Sequence, residues 1–463
     1  MSDHGRALSI ERMREGGVPD LAIATFVRLY GELEAGATGL IPEADVEPLT
    51  GIDRQADLEI GGAEAAEALA KTVVIKLNGG LGTSMGLEAA KSLLPVRDGL
   101  SFLDLIARQV LAARETYGAR LPLVLMNSFR TQDDSLAALA AHPDLAVDGI
   151  PADFLQNREP KLDAETLEPV TWPANPDLEW CPPGHGDLYT ALQTSGMLQT
   201  LLDAGFRYAT VSNADNLGAV PDAEIAAWFA ATGAPYAAEL VAKSDADVKG
   251  GQLVVRRSDG QIIQRETAQV VPGELDVAND RHVHPFFHAN NLWFDLVQLA
   301  ELLERHDGVM PLPLIRNLKT VDPSDKTSTT VVQIETAMGS AVNVFPGARV
   351  IEVERKRFLP VKTTNDLMLL RSDVYELTPE QHLIARKAAP LVDLDERFKL
   401  IADFEARTPT GPPSLLGADS LTVQGDWIFG ADVVATGDAL LVSPGEGVHT
   451  VPDGAHIGPD GLA

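Results

Sequence analysis

The sequence predicts an α/β protein with a parallel sheet, a helical segment before it and a small β region after it. Three observations carry this. Thr72-Val73-Val74-Ile75 and Leu123-Val124-Leu125-Met126 are short continuous apolar runs, the pattern of strands buried on both faces. Between them Leu103, Ile106, Val110 and Leu111 recur at helical spacing within 102–117, and strand, helix, strand in that order is a βαβ crossover. From Ser420 onward, apolar residues come instead in short pairs punctuated by Gly425, Gly430, Gly437 and Gly445.

Taken in order, residues 1–65 read as a helical segment. Pro19 can open a helix, because a proline in the first helical position gives up no needed hydrogen bond. Ile23, Phe26, Val27, Tyr30 and Leu33 form its buried stripe, and Gly39 and Pro42 end it. Residues 66–380 form the main domain, in which a helix over 193–204 and a strand over 208–212 continue the alternation. Residues 381–463 form the last unit. Here 379–405 reads as helical, Pro412-Pro413 breaks the chain, and the paired apolar residues suggest a small β-solenoid or a plain cluster of β-hairpins.

Lys plus Arg is 37 against 67 Asp plus Glu, a formal charge of −30, which opposes binding to nucleic acid or an anionic membrane. An acidic protein with a polyphosphate substrate must gather its few cations, or a metal, at the site. Cys181 is the only cysteine, so neither an intramolecular disulfide nor a thiolate zinc site can form. The polar start and the lack of an apolar run of roughly 18 to 20 residues predict a cytoplasmic protein.

Chemistry concentrates in a few segments. Leu77-Asn78-Gly79-Gly80-Leu81-Gly82 follows a strand and precedes Lys91, and its glycines let backbone N–H groups approach a ligand. A P-loop would need Lys directly after Gly82 or Gly86, and a dinucleotide fingerprint would need Gly where Met85 stands. Neither applies. Asp215 follows the strand at 208–212, at the carboxyl end where open α/β sheets bind ligands, and is the candidate Mg²⁺ ligand. Arg355, Lys356, Arg357 and Lys362 crowd four cations into a short stretch that needs an anion.

The glycine segment with Lys91-Ser92 resembles the nucleotide-binding loop of the UDP-glucose pyrophosphorylase family of eukaryotic type. Further segments match in order: Gln156-Asn157-Arg158-Glu159-Pro160, Pro182-Pro183-Gly184-His185-Gly186-Asp187, Asn213-Ala214-Asp215-Asn216, Asp245 to Gly251, Asn290-Asn291, Glu335-Thr336-Ala337 and the stretch around Lys362. Glu88 and Ala90 depart from the second lysine and the proline usual before the essential lysine.

The resemblance implies a Rossmann-like nucleotidyltransferase domain with a mixed central sheet and a C-terminal left-handed β-helix. It implies nucleotide contacts from Leu77, Asn78, Gly79, Gly80, Gln156, Gly184, Asn213 and Asp215, with Gln156 reading the uracil edge. It assigns the sugar phosphate to His185, Asn213, Asn290, Asn291, Glu335 and Lys249, and catalysis to Lys91 and Lys362. The expected reaction joins UTP to glucose 1-phosphate with Mg²⁺. Galactose or N-acetylglucosamine 1-phosphate, or a non-catalytic sensor on the same scaffold, are the alternatives. A homo-oligomer assembled through the C-terminal β region is a further expectation.

Overall fold

The computed structural model describes residues 2–82, 85–87, 89–243 and 251–462. An eight-stranded sheet lies at its centre. In chain order its strands are β1 (Asp53–Arg54), β2 (Thr72–Asn78), β3 (Leu123–Asn127), β4 (Asp153–Leu155), β5 (Tyr208–Asn213), β6 (Tyr236–Ala242), β7 (Phe286–Asp295) and β8 (Arg349–Glu352). In space they run β1-β8-β6-β7-β5-β2-β3-β4. β7 lies antiparallel between β5 and β6, and the remaining pairings are parallel, so the sheet is mixed.

The apolar runs explain this position. Successive strand residues face opposite sides, so a strand apolar throughout must be covered on both. Val74 and Leu125 pack into one core, while Val73, Ile75, Val124 and Met126 pack into the other. The helix Phe102–Tyr117 crosses over as expected. A reciprocal cap between Ser101 and Asp104 starts it, and left-handed Gly118 ends it.

The helical content differs from expectation in two places, 193–204 and 379–405. The N-terminal segment is a hairpin of α1 (Ser2–Glu15) and α2 (Asp20–Glu34), followed by short turns and strands. Pro19 stands just before α2, and Leu29 rather than Val27 completes the buried stripe. The helix expected over 193–204 is two helices, Leu188–Thr194 and Met197–Asp203, because Gly196 adopts φ 76° between them. Within 379–405, Pro390 and the positive φ of Gln381 interrupt the pattern. Strands Leu383–Ala385 and Leu391–Asp393 form instead, and the helix is confined to Ile401–Arg407.

In the C-terminal region, Leu391–Asp393, Ser414–Gln424, Val434–Val442 and His456–Gly458 lie side by side in parallel. Asp426–Phe429 pairs with Val448–Val451, also in parallel. Hairpins would make such neighbours antiparallel, as the terminal pair Ile457–Gly458 with Gly461–Leu462 is. Asp373 accepts from Ser414 Oγ at 2.6 Å and from the Leu415 N–H at 2.9 Å, tying this region to the main body. No helix among the described residues is long and apolar enough to cross a membrane.

Candidate active site

β2 and β5 are adjacent and parallel, with Leu77 opposite Asn213, so the chain leaves both at the same edge. The Ala214 N–H donates to Leu77 O at 3.0 Å, which sets Asp215 beside the glycine loop. Ser128, just beyond β3, donates to Gly79 O at 3.1 Å, and the Lys91 N–H donates to Gly80 O at 3.2 Å. One cleft results, lined by Leu77, Asn78, Gly79, Gly80, Lys91, Gln156, Gly184, His185, Asn213 and Asp215. Segments up to 138 positions apart in sequence thus meet as the motifs suggested.

On one side sits Gln156. Its N–H donates to Asn127 O at 2.7 Å, and its Nε2 donates to Gly184 O at 2.9 Å. A Cβ at position 79 would lie 2.6 Å from Gln156 Oε1, so only glycine lets the amide close over the loop. Gly184 adopts φ 75°, and a Cβ there would lie 2.6 Å from Thr336 O. His185 Nδ1 accepts from the Met338 N–H at 2.9 Å, which leaves the ring proton on Nε2. Burial lowers the His185 pKa, so the ring is a neutral donor at pH 7.

Charge occupies the other side. Lys91 Nζ lies 2.6 Å from Asp215 Oδ2 and also donates to Val361 O. The Val361 N–H donates to Asp215 O at 3.3 Å, which draws the segment before Lys362 against the Asp215 turn. Lys362 is exposed, with Nζ 5.9 Å from the Phe287 ring centroid. Asp366 accepts from its backbone N–H at 2.7 Å. Two other cations of that stretch find their anions within the chain. Arg357 is buried and doubly bonded to Glu239 at 2.7 Å, with Asp222 at 3.3 Å, and Lys356 pairs with Glu354.

Two of the expected contact residues have side-chain amides bonded within the chain. Asn291 is 1% exposed; its Nδ2 donates to Glu239 and to Arg357 O, and its Oδ1 accepts from Asn216. These bonds tie its amide to Glu239, Arg357 and Asn216. Adjacent strand residues face opposite sides, and Asn290 takes the other one. Asn290 adopts φ 57°, where β7 is irregularly paired with β6, and its Nδ2 donates to Asn213 Oδ1 at 3.3 Å. The Asn78 Nδ2 is likewise engaged, with Asn127 and Ser135 both at 2.7 Å. Glu335 pairs with Lys319 at 3.3 Å and packs behind Gly184. Lys249 lies outside the described residues, as does the rest of 244–250.

Sequence reasoning missed three groups. Lys76 is 1% exposed, and its ammonium donates to Ser212 Oγ and Ala219 O, both at 2.8 Å. Desolvation brings its pKa down to about 7, and the nearby Arg357 adds to the drop. Asp187, buried below Gly184, accepts from the Asn157 N–H at 2.6 Å, and burial raises its pKa to about 7. Glu266, half-buried, has a pKa raised by desolvation, takes a hydrogen bond from Gln264 and is influenced by Lys362. Asp187 stood within a recognised motif, but the other two sit in ordinary strand-like text with no local signal.

A family model described as UTP–glucose-1-phosphate uridylyltransferase matches residues 24–435. The chain is 39% identical over 402 residues to a probable UTP–glucose-1-phosphate uridylyltransferase of Schizosaccharomyces pombe, covering 86% of this chain and 78% of that one. It is 37% identical over 443 residues to the UTP–glucose-1-phosphate uridylyltransferase of Solanum tuberosum, covering 93% and 90%. Among solved structures, the UDP-glucose pyrophosphorylase from Leishmania major, described in open and closed forms, superposes with a TM-score of 0.91 at 38% identity over 98% of each chain. A mutant of that protein in complex with UDP-glucose matches equally well, with a TM-score of 0.91 and 38% identity over 98% of each chain.

Proposed function

The chain belongs to the family of UTP–glucose-1-phosphate uridylyltransferases, and from that premise we infer that it transfers the uridylyl group of UTP to glucose 1-phosphate, forming UDP-glucose and pyrophosphate. The observation that carries this reading is the single cleft in which an amide, a glycine loop and a Lys–Asp pair converge. Relatives named for glucose 1-phosphate do not favour galactose or N-acetylglucosamine 1-phosphate, nor a sensor without catalysis.

A sugar phosphate is already nucleophilic at neutral pH, its second pKa being about 6, so its attack on the α-phosphorus of UTP needs no general base. The rate is limited by repulsion between two polyanions and by charge gathering on pyrophosphate. Lys91 and Lys362 meet that charge, and the loop N–H groups from Leu77 to Gly80 hold the nucleotide. Gln156 offers a donor and an acceptor to the uracil edge, beside Gly184. His185 Nε2–H donates to the sugar phosphate, and Asn213 and Asn290 present amides to its sugar. Glu335 and Lys249 keep their sugar-phosphate assignments on the resemblance alone.

Asp215 would hold Mg²⁺. The residues fit: this carboxylate lines the cleft, and Mg²⁺ takes one or two carboxylates while sharing the remainder of its shell with phosphates and water. Among the described residues no group of three His, Cys, Asp or Glu side chains suits a metal held by protein alone. Bound there, Mg²⁺ supplies neutralisation of the triphosphate.

The domain division at about 65 and 380 belongs to the same reading. So does a left-handed β-helix in the C-terminal region, which the run of parallel neighbours supports. A cytoplasmic setting and assembly through that region complete it. Pyrophosphate release from UTP and Mg²⁺ is the test, with glucose, galactose and N-acetylglucosamine 1-phosphates run side by side. Release with glucose 1-phosphate above the others is expected, and no release with any of the three overturns the reading.

A further inference from the structure

The α1–α2 hairpin takes no part in the chemistry above, yet it packs against the base-reading segment, and Arg158 bonds the two together. Arg158 Nη2 donates to Gly16 O at 2.8 Å, in the turn between the two helices. Its guanidinium lies 4.5 Å from the Trp180 ring centroid and 5.7 Å from that of Phe129. The turn is shaped for this contact, because a Cβ on Gly16 would come within 2.7 Å of the Trp180 ring. Beneath, Met13, Phe26 and Tyr30 pack with Leu162 and Ile334, so the hairpin is a fixed body and not a loose tail.

Three consecutive residues are therefore staked to two separate elements, the turn over 184–187 and the hairpin. Gln156 is held to Gly184 O at 2.9 Å. Asn157 is held to the Asp187 carboxylate at 2.6 Å through its N–H and at 2.9 Å through Nδ2. Arg158 is held to the hairpin. A side-chain amide reads a base by the direction of one donor and one acceptor, and small displacements lose that match.

We propose that Arg158 is a positioning residue for base recognition, coupling the N-terminal hairpin to Gln156 so that the hairpin sets affinity and selectivity for the uracil nucleotide. This rests on the reading that Gln156 faces uracil, and the experiment separates the two. Arg158→Met keeps an apolar cover on Trp180 and deletes the bond to Gly16. Arg158→Met, Arg158→Lys and Gln156→Ala are compared with the unaltered chain for KM of UTP, KM of glucose 1-phosphate, kcat, the UTP-to-CTP ratio of kcat/KM, and melting temperature.

Losing one hydrogen bond from a charged group should raise KM for UTP by about fivefold to tenfold in Arg158→Met. The UTP-to-CTP ratio should fall with it, while kcat and KM for glucose 1-phosphate stay within about twofold. Arg158→Lys should recover part of the loss. An Arg158→Met enzyme with unchanged KM for UTP and unchanged ratio overturns the coupling, provided Gln156→Ala alters the ratio. A loss in kcat that follows the melting temperature equally for both substrates also overturns it. If Gln156→Ala leaves the ratio untouched, the base-reading assignment itself fails.

Discussion

Lys91 and Lys362 start from different conditions. Lys91 is partly buried and already engaged with Asp215 and Val361 O, whereas Lys362 is exposed and, among the described residues, forms no ion pair. Removing Lys362 therefore costs little in folding, and on the proposed mechanism it withdraws a charge where pyrophosphate charge develops. Lys362→Ala should lower kcat by a factor of about 10² to 10³ with an unchanged melting temperature. Near-normal turnover in a folded Lys362→Ala enzyme would remove that role. Lys76 makes a prediction of a different kind. Its pKa of about 7 in the folded chain lies below the roughly 10.4 of a free lysine, so between those values the folded state binds fewer protons. Its contribution to stability is at its poorest below pH 7 and improves as pH rises toward 10. Urea unfolding of the unaltered chain and of Lys76→Met at pH 7, 8 and 9 checks this. The difference between them should shift toward the unaltered chain with pH, and parallel curves would show that Lys76 is already charged throughout.

At the scale of elements, the site depends on backbone closeness that only glycine permits. Gly184 combines φ 75° with a backbone oxygen 2.6 Å from where a Cβ would sit. Gly184→Ala should cost about 1 to 3 kcal/mol of stability and raise KM for UTP, read by thermal melting and initial rates. Under the same edge, Arg357 and Glu239 are both buried and face each other across neighbouring strands and turns. Burial opposes the ionised form of both, but each partner more than offsets it, leaving the Arg357 pKa raised and the Glu239 pKa lowered. Arg357→Met would strand a buried carboxylate and should destabilise by about 3 to 5 kcal/mol in denaturant titration, and a loss well below 1 kcal/mol would contradict this.

What could be read in the sequence follows from the same physics. The glycine segment and the strands at its flanks are contiguous, so their meaning is local and legible. The Asn290-Asn291 pair was read as one sugar contact because its members adjoin in sequence, yet a strand sends neighbours to opposite faces. The cations from Arg355 to Lys362 adjoin in sequence, and of these the resemblance gives the phosphate to Lys362 alone. Burial of Arg357 against Glu239, which lies more than a hundred positions earlier, divides them. Glu266 and Lys76 left no trace because their chemistry comes from desolvation, which is a tertiary property.

For the whole molecule, the main question is what the C-terminal region adds. Cutting the chain near residue 410 would be a poor way to ask. Phe398, Phe404, Leu415 and Leu421 share one continuous apolar core with Phe102, Ile106 and Met368 of the main body. Removal would open that core, and loss of activity would then say nothing about assembly. A surface change is cleaner. Val442 is 51% exposed and Val448 61%, both on strands of this region and both large apolar residues facing solvent in the isolated chain. Scattered exposed apolar residues are ordinary, but here they lie on the unit proposed to join copies. If assembly proceeds through this face, a Val442→Glu, Val448→Glu double variant should show monomer mass by light scattering where the unaltered chain shows a multiple. Turnover per chain should stay within about twofold, since the cleft is built wholly from the main domain. An unaltered chain that is monomeric across the measured concentrations, or a variant whose mass does not change, would remove the C-terminal face as the route of assembly.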